Sequence, residues 1–463
     1  MRSTGWMIAL VSLAISLVTP PPPLHAVQDS SLTRAVHVAS LENGLQVIVA
    51  ESHTVALATV LLAVRNGAFT QDSAEQGLAH LYEHILFRSY HHDPSAFGVE
   101  ATYLKGSYNG ATSDEVVYYY ISLPSENVDG GLRLIARLIQ EADFSNLDLK
   151  EERPVVLNEL QRGESDPEER LDRQVSRALW GRSWSRKDVS GDSGSLAAIT
   201  LDRLRATYAR YYLPNNAALI VTGDVANDRV VERARQLFGE WKAGPDPFAA
   251  RPIPPVAPRD ASTAILVADN VLDVTIRVAL LGPSVGTDTA ATYAADVLFD
   301  LLDNPTSAFQ RRMVTNGPFQ ALSGSYLTRD HTGPIEFVGK TTPGRAREAV
   351  LALIDELDRL GSLSDITEED LANAKKRRRI RGALAVERTA LLAPQLAFWW
   401  SSAGMDYYLT YHPRLTSRTL QDLRKFAADY VIGKPRVIGV LAPPFTIQSL
   451  ASALKQATHQ TGP

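Results

Sequence analysis

The sequence predicts an α+β fold of two similar halves, each a mixed, mainly antiparallel sheet covered by helices. Three observations predict it. Short alternating apolar runs, typical of strands, are mixed with longer segments of helical periodicity, without the strict alternation of a doubly wound sheet. The order of these segments in the first half returns in the second. A proline-rich stretch, residues 244–260, separates the halves as a linker.

The first half begins with strands and closes with a helix followed by a strand. Asn43 and Gly44 lie between two alternating apolar runs and predict a hairpin at this point. The later elements expected from periodicity are strands over 55–64, 118–123 and 217–223 and helices over 128–141, 149–162 and 201–212.

The second half repeats this order. It predicts strands over 264–267, 274–281 and 437–441 and helices over 289–302 and 422–430. We therefore expect an N-terminal domain over residues 27–243 and a homologous C-terminal domain over residues 261–463.

The bulk composition is that of an ordinary globular protein. The chain has 463 residues, 45% hydrophobic and 21% charged, which is enough for two domains. A net charge of −5 gives no basic excess to indicate a nucleic-acid partner. The basic run 375–379 follows acidic residues on an expected helix, so we interpret it as a solvated helical face. The absence of cysteine excludes disulfides and thiolate metal ligands.

Residues 1–26 have the pattern of a secretory signal peptide. Arg2 supplies a positive charge, the run 6–18 is mainly apolar, and Ala26 offers a small residue for cleavage. The apolar run is too short to span a bilayer. We therefore expect an exported mature chain without an integral membrane segment, periplasmic if the source is a Gram-negative bacterium; an uncleaved anchor is the alternative.

The segment 77–87 concentrates the chemistry, because it contains the H-x-x-E-H motif of His80, Glu83 and His84. Residues four apart lie on one face of a helix, so the two imidazoles can bind one metal ion. Glu83 is next to His84 and can reach a water on that metal. A catalytic zinc ion takes three protein ligands and keeps its fourth position open, so a third ligand is expected downstream.

Two glutamates supply candidates for that ligand. Glu152 and Glu159 are seven residues apart, close to two helical turns, so both project in the same direction. One could bind the metal while the other orients a histidine. His91 and His92 also lie near the motif, but they precede a proline turn and we interpret them as loop residues.

Together these residues resemble the pitrilysin/insulinase family of zinc metallopeptidases, the inverzincins. Within that family the chain resembles the short two-domain bacterial type, which is similar to the subunits of mitochondrial processing peptidase. The resemblance implies Glu159 as the third ligand, about 75 residues after His84, and Glu152 as its supporting glutamate. It also implies two domains that face each other like a clamshell. The second-half helix around Tyr293 lacks the motif, so one zinc ion per chain is expected; manganese or cobalt could substitute.

The resemblance implies an endopeptidase acting on short or unfolded peptides. Glu83 would take a proton from a water activated by zinc and pass it to the leaving amine. Residues 109–112 resemble the family segment just ahead of the edge strand that pairs with an extended substrate, and Asn109, Gly110 and Ala111 are the expected substrate-binding residues. A plain turn at Asn109 and Gly110 is the alternative.

One feature departs from the family. Its active members carry an arginine and a tyrosine seven residues apart, in the second half or in a partner subunit. Met313 and Gln320 hold those positions here, and neither Arg311 nor Arg312 has a tyrosine seven residues on. We therefore hypothesise a homodimer, or a heterodimer with a related chain carrying the pair. A non-catalytic assembly subunit and an exported zinc-binding protein are the competing interpretations.

Overall fold

The computed structural model describes residues 36–459 except Pro94, Ser362 and residues 387–388. The expected signal peptide, residues 1–26, lies outside the described residues. Within the described part of the chain, no helix combines the length and the apolar character that a bilayer crossing requires.

The first half follows the expected order of strands and helices. Its elements are β1 (Val36–Ser40), β2 (Gln46–Glu51), β3 (Leu57–Val64), α1 (Leu78–Ser89), α2 (Ala96–Tyr103), β4 (Ser107–Thr112), β5 (Val117–Pro124), α3 (Val128–Gln140), α4 (Asn146–Ser165), α5 (Pro167–Trp180), α6 (Ser193–Ala198), α7 (Leu201–Tyr211), β6 (Ala217–Gly223) and α8 (Asn227–Phe238).

The second half repeats most of this series. Its elements are β7 (Thr263–Ala268), β8 (Val274–Leu281), α9 (Val285–Leu302), α10 (Ala308–Gln310), β9 (Ala321–Tyr326), β10 (Pro334–Thr341), α11 (Ala346–Arg359), α12 (Glu368–Val386), α13 (Thr389–Ser402), α14 (Met405–Thr416), α15 (Leu420–Tyr430), β11 (Val437–Ala442) and α16 (Ile447–His459).

The two sheets have the same topology. The first runs β1-β2-β6-β3-β5-β4 and the second β7-β11-β8-β10-β9, so the second repeats the first without β1. Each sheet is antiparallel apart from one parallel pair, β2 with β6 and β7 with β11. The predicted fold class, α+β with two similar halves, is confirmed.

The hairpin predicted at Asn43 and Gly44 joins β1 to β2, which pair antiparallel from Ser40 opposite Gln46. Gly44 has a φ of +88°, a conformation that glycine adopts without strain. The Asn43 side-chain amide donates hydrogen bonds to the carbonyl oxygens of Phe238 (2.7 Å) and Trp241 (2.9 Å). These bonds tie the turn to the end of α8.

Each half contributes one helix that packs on the sheet of the other half. The first-half helix α5 packs on one face of the second sheet, where Leu171 and Val175 join a buried cluster with β8 and β11. The second-half helix α13 covers β3 and β6 of the first sheet. Its Trp400 is 1% exposed, donates from Nε1 to Gln46 (2.9 Å), and lies 4.2 Å beneath the Arg65 guanidinium. Each sheet therefore has one helix of the other half packed against it.

Buried charges also join the halves at the turn 113–116, between β4 and β5. Asp114 forms ion pairs with Arg329 (2.6 Å) and Lys187 (3.2 Å). Burial alone would raise the pKa of Asp114, but these two cations outweigh it and lower the pKa from 3.8 to about 2. Glu115 accepts backbone hydrogen bonds from Asp330 (3.0 Å) and His331 (2.9 Å).

The basic run 375–379 lies on α12, but the interpretation as a solvated face is wrong for Arg378. This arginine is 5% exposed, and its Nε lies 2.9 Å from a carboxylate oxygen of Asp300 on α9. Arg378 can be buried because it is paired with acidic side chains, and helical periodicity alone does not reveal those partners.

Candidate metal centre

Helix α1 presents the H-x-x-E-H motif because its other side is anchored in the core. It begins after Gly77, whose φ of +84° and contact with Leu196, 2.8 Å from an added Cβ, both favour glycine. Leu81 and Ile85 are fully buried in the hydrophobic core of the first half. His80 and His84 project together from the less buried side of the helix, with ring centroids 4.9 Å apart.

Helix α4 packs against α1 and supplies the glutamates. It starts with a capping box in which the Ser145 hydroxyl and the Asp148 carboxylate each accept from the other's backbone N–H. Arg88, one turn after His84, contacts Glu151 and donates to Glu152 at 3.1 Å. The bond to Glu152 joins α1 to α4 next to the candidate ligands.

The structure brings His80, His84 and Glu159 together. The Glu159 Oε2 atom lies 3.8 Å from His80 Nε2 and 3.6 Å from His84 Nε2. The candidate ligand atoms of the three residues all lie within 4.8 Å of one another. A tetrahedral zinc ion with bonds of about 2.0–2.1 Å separates its ligand atoms by about 3.3 Å. The three donors therefore fit one zinc ion after small side-chain movements.

Burial and carboxylates set the protonation of the histidines. Burial and the neighbouring His84 lower the pKa of His80 to about 3, which keeps its imidazole neutral, as a metal ligand must be. Burial opposes protonation of His84, but the nearby glutamates outweigh it and raise its pKa. Glu152 Oε2 lies 3.4 Å from His84 Nδ1, the nitrogen that points away from Glu159. Glu152 is thus placed to orient the His84 ring.

Glu83 is buried between α1 and β4. Its Oε2 accepts a hydrogen bond from the Thr112 hydroxyl at 2.6 Å. Burial raises the pKa of Glu83 to about 7, although the bond from Thr112 acts in the opposite direction. A Cβ added at Gly110 would lie 2.7 Å from Glu83 Oε1, so glycine leaves the space that this carboxylate fills. A carboxylate with this pKa can both accept and return a proton near neutral pH.

The segment Asn109, Gly110 and Ala111 lies inside the edge strand. The sequence placed it just ahead of that strand, or in a turn; both expectations are wrong, because β4 contains it and pairs antiparallel with β5. Asn109 and Gly110, at the middle of this six-residue run, are residue types depleted in strands, so the run gives a weak strand signal of its own. Pairing with β5 determines its conformation. Within the described residues, no strand pairs with the outer edge of β4.

The residues at the positions of the missing arginine and tyrosine do not replace that pair, and the nearby arginines are bound elsewhere. Met313 is buried, 6% exposed, in a π-helical turn over 311–315, and Gln320 is exposed. Arg312 is held by Glu356 and, at 2.7 Å, by Asp365. Arg311 donates to the carbonyl oxygen of Thr306.

The second half has an ion pair network on the helices that correspond to α1 and α4. Asp296 and Asp300 lie four residues apart on α9, as the two histidines do on α1. Arg378 of α12 lies 3.6 Å from Asp296 and 2.9 Å from Asp300. An arginine with two carboxylates thus stands where the first half has its histidines and glutamates.

Sequence reasoning missed the contacts that Thr112 and Arg88 make with the site glutamates. Thr112 is 29 residues from Glu83 and Arg88 is 64 residues from Glu152, so no local spacing links either pair. The only sequence signal was that the segment compared with the family, residues 109–112, ends at Thr112.

Two family models match the chain. Residues 46–190 match the one described as insulinase (peptidase family M16). Residues 198–378 match the one described as the peptidase M16 inactive domain. The metal-binding candidates all lie within the first match.

Curated relatives are named as proteases. An uncharacterized zinc protease of Streptomyces coelicolor is 23% identical over 88% of this chain and 90% of the relative. A zinc protease of Rickettsia felis is 26% identical over 45% of this chain and 51% of the relative. A probable mitochondrial-processing peptidase subunit beta of Arabidopsis thaliana is 25% identical over 49% and 43%. The alignments therefore cover about half the length of the latter two relatives.

Solved structures share the fold. A protease from Helicobacter pylori superposes with a TM-score of 0.77 and 20% identity over 88% of this chain and 99% of that chain. The first half of the periplasmic protease PqqL from Escherichia coli gives 0.74 and 18% over 92% and 96%. A chain of complex III2 from Candida albicans gives 0.72 and 15% over 91% and 99%.

Proposed function

The chain belongs to the pitrilysin/insulinase family of two-domain proteins, peptidase family M16, and on this premise we propose that it is an exported zinc-dependent endopeptidase. The observation that carries the proposal is the convergence of His80, His84 and Glu159 beside the buried Glu83. A metal-storage site needs no carboxylate of raised pKa next to its ligands, whereas hydrolysis needs a base there.

The three ligands and Glu83 divide the catalytic work. When bound, zinc would polarise the substrate carbonyl and make a water nucleophilic near neutral pH. Glu83 would take a proton from the attacking water and deliver it to the leaving amine. Its burial beside the candidate ligands, which raises its pKa, favours a group that both accepts and returns a proton. Glu152 would hold the His84 ring so that Nε2 faces the metal.

The edge strand β4 is the proposed substrate platform. Asn109, Gly110 and Ala111 offer backbone donors and acceptors along the outer edge, beside Glu83. An extended peptide could pair there as an additional strand, which relies mainly on backbone hydrogen bonds and requires an unfolded segment. Short or unfolded peptides inside a chamber closed by the two halves are therefore the proposed substrates.

The second half supports one zinc ion per chain. At the corresponding helices, Arg378 is ion-paired with Asp296 and Asp300, and its fixed positive charge disfavours a second cation there. Export is supported by the signal-peptide pattern of residues 1–26 and by the likeness to a periplasmic protease.

A second candidate is a zinc-bearing subunit that is inactive alone. Met313 is buried and Gln320 has no hydroxyl group, so neither replaces the family residue at its position. Arg312 is bound to Glu356. A homodimer, or a related partner chain, would then supply the arginine and tyrosine. The third candidate is a non-catalytic assembly role. It is supported by a relative named as a processing-peptidase subunit and by a structural neighbour from complex III2.

Turnover of a long, internally quenched, unstructured peptide by the chain 27–463 tests the proposal. The wild type should cleave it, and Glu83→Gln should bind zinc without cleaving. A Glu83→Gln variant with full activity would contradict the assignment of the base. Zinc binding without turnover in the wild type would favour the partner-dependent candidate, and adding a partner chain with the arginine and tyrosine should then restore cleavage.

A further inference from the structure

We infer that Thr112 is a positioning residue that holds the Glu83 carboxylate in the orientation needed at the metal centre. The inference rests on the proposed function, because it assigns a role toward the same base. It concerns a residue outside the H-x-x-E-H motif and outside the proposed peptide-pairing segment 109–111.

The contact is short and directional. The Thr112 hydroxyl donates to Glu83 Oε2 at 2.6 Å, within the range of charge-assisted O–H···O⁻ hydrogen bonds. Gly110 lies on the same face of β4, two residues before Thr112, and its bare Cα faces the other oxygen, Oε1. The carboxylate is therefore bound at one oxygen and fitted against backbone at the other.

The turn that follows Thr112 is held by residues of both halves. It contains Asp114 and Glu115, which are bound to Arg329, Lys187 and the backbone of residues 330–331. The backbone N–H of Phe69 also donates to the carbonyl oxygen of Asp114, at 2.8 Å. The end of β4 is thus fixed from two sides, so Thr112 gives Glu83 a rigid partner.

Loss of the hydroxyl should free the carboxylate. Valine has nearly the shape of threonine but no donor, so Thr112→Val would leave a buried oxygen without its partner. The carboxylate would then rotate toward other donors. Serine keeps the donor, so Thr112→Ser should preserve the arrangement. The metal ligands are unchanged in both variants, so zinc content should be unchanged.

Crystal structures of zinc-loaded wild type, Thr112→Val and Thr112→Ser test the inference without requiring turnover. Thr59→Val is a matched control, since Thr59 is a buried threonine of the same sheet whose hydroxyl bonds to Ser122 (2.8 Å). We expect the Glu83 carboxylate to change rotamer in Thr112→Val only. An unmoved carboxylate in Thr112→Val would overturn the inference.

Peptide cleavage gives a second readout. We expect kcat to fall about ten- to a hundredfold in Thr112→Val, with KM nearly constant, and to recover in Thr112→Ser. An unchanged kcat in Thr112→Val also overturns the inference while leaving the proposed function intact. Full activity of Glu83→Gln would instead refute the proposed function. If the chain alone does not turn over, the crystal structures decide.

Discussion

Glu152 should govern how tightly the centre binds zinc, although it is not a proposed ligand. Its two carboxylate oxygens have different partners: Oε2 lies 3.4 Å from His84 Nδ1 and Oε1 accepts from Arg88 at 3.1 Å. Glu152→Ala removes the acceptor that fixes the tautomer and orientation of the His84 ring. We expect the zinc affinity of this variant to fall while the protein stays folded.

The size of the effect follows from these contacts. Loss of a carboxylate behind a histidine ligand typically costs about ten- to a hundredfold in metal affinity, or about 1.4–2.7 kcal/mol. Arg88 already neutralises part of the Glu152 charge, which favours the lower part of this range. Glu159→Gln removes a proposed ligand and should cost more. The predicted order of zinc affinity is therefore wild type, Glu152→Ala, then Glu159→Gln.

Competition with a chromophoric chelator at fixed pH measures these affinities. Glu151→Ala is the matched control, because Glu151 is the neighbouring residue and also contacts Arg88 but makes no contact with His84. It should bind zinc as the wild type does. Wild-type affinity in Glu152→Ala, or an equal loss in Glu151→Ala, would refute the reasoning.

Three further predictions concern the structure around the centre. Asp114, with its pKa lowered from 3.8 to about 2, stabilises the folded state above pH 4. About 2 kcal/mol of unfolding free energy should therefore be lost between pH 4 and pH 2. Urea titrations should show this loss in the wild type and not in Asp114→Asn. Equal pH dependence in both proteins would contradict the prediction. Gly110→Val should reduce kcat at least about tenfold with zinc retained, because the new side chain meets Glu83; wild-type turnover would contradict it. Trp400→Ala should cost about 3–5 kcal/mol and lower hydrogen-exchange protection in β3 and β6, on which its helix packs; a loss of protection confined to the second half would contradict the exchanged packing.

Local patterns predicted the order of the elements that open and close each half, but not strands β9 and β10 or helices α5 and α13. The turn at Gly44, the buried strands and the amphipathic helices each have a periodicity or turn residue within a few positions, so their order and repetition could be read from the sequence. Strand β4 could not, because its polar residues become a strand only through pairing with β5. The exchange of α5 and α13 leaves no local signal, since an apolar helix face does not specify which sheet it covers.

The candidate site likewise has residues that local spacing predicted and contacts that it could not predict. The spacing of His80, Glu83 and His84 on one helix made the motif recognisable, and the spacing of Glu152 and Glu159 on another made the glutamates candidates. The contact between Thr112 and Glu83 joins a strand to a helix and is created by packing alone. Arg378 was misinterpreted for the same reason, because its acidic partners lie on another helix.

Anomalous diffraction at the zinc absorption edge, from crystals of the chain 27–463 grown with zinc, tests the central claim most directly. We predict one peak per chain, about 2.0–2.1 Å from His80 Nε2, His84 Nε2 and a Glu159 oxygen, and none near Asp296 and Asp300. A peak elsewhere, or no peak among these three side chains, would contradict the account.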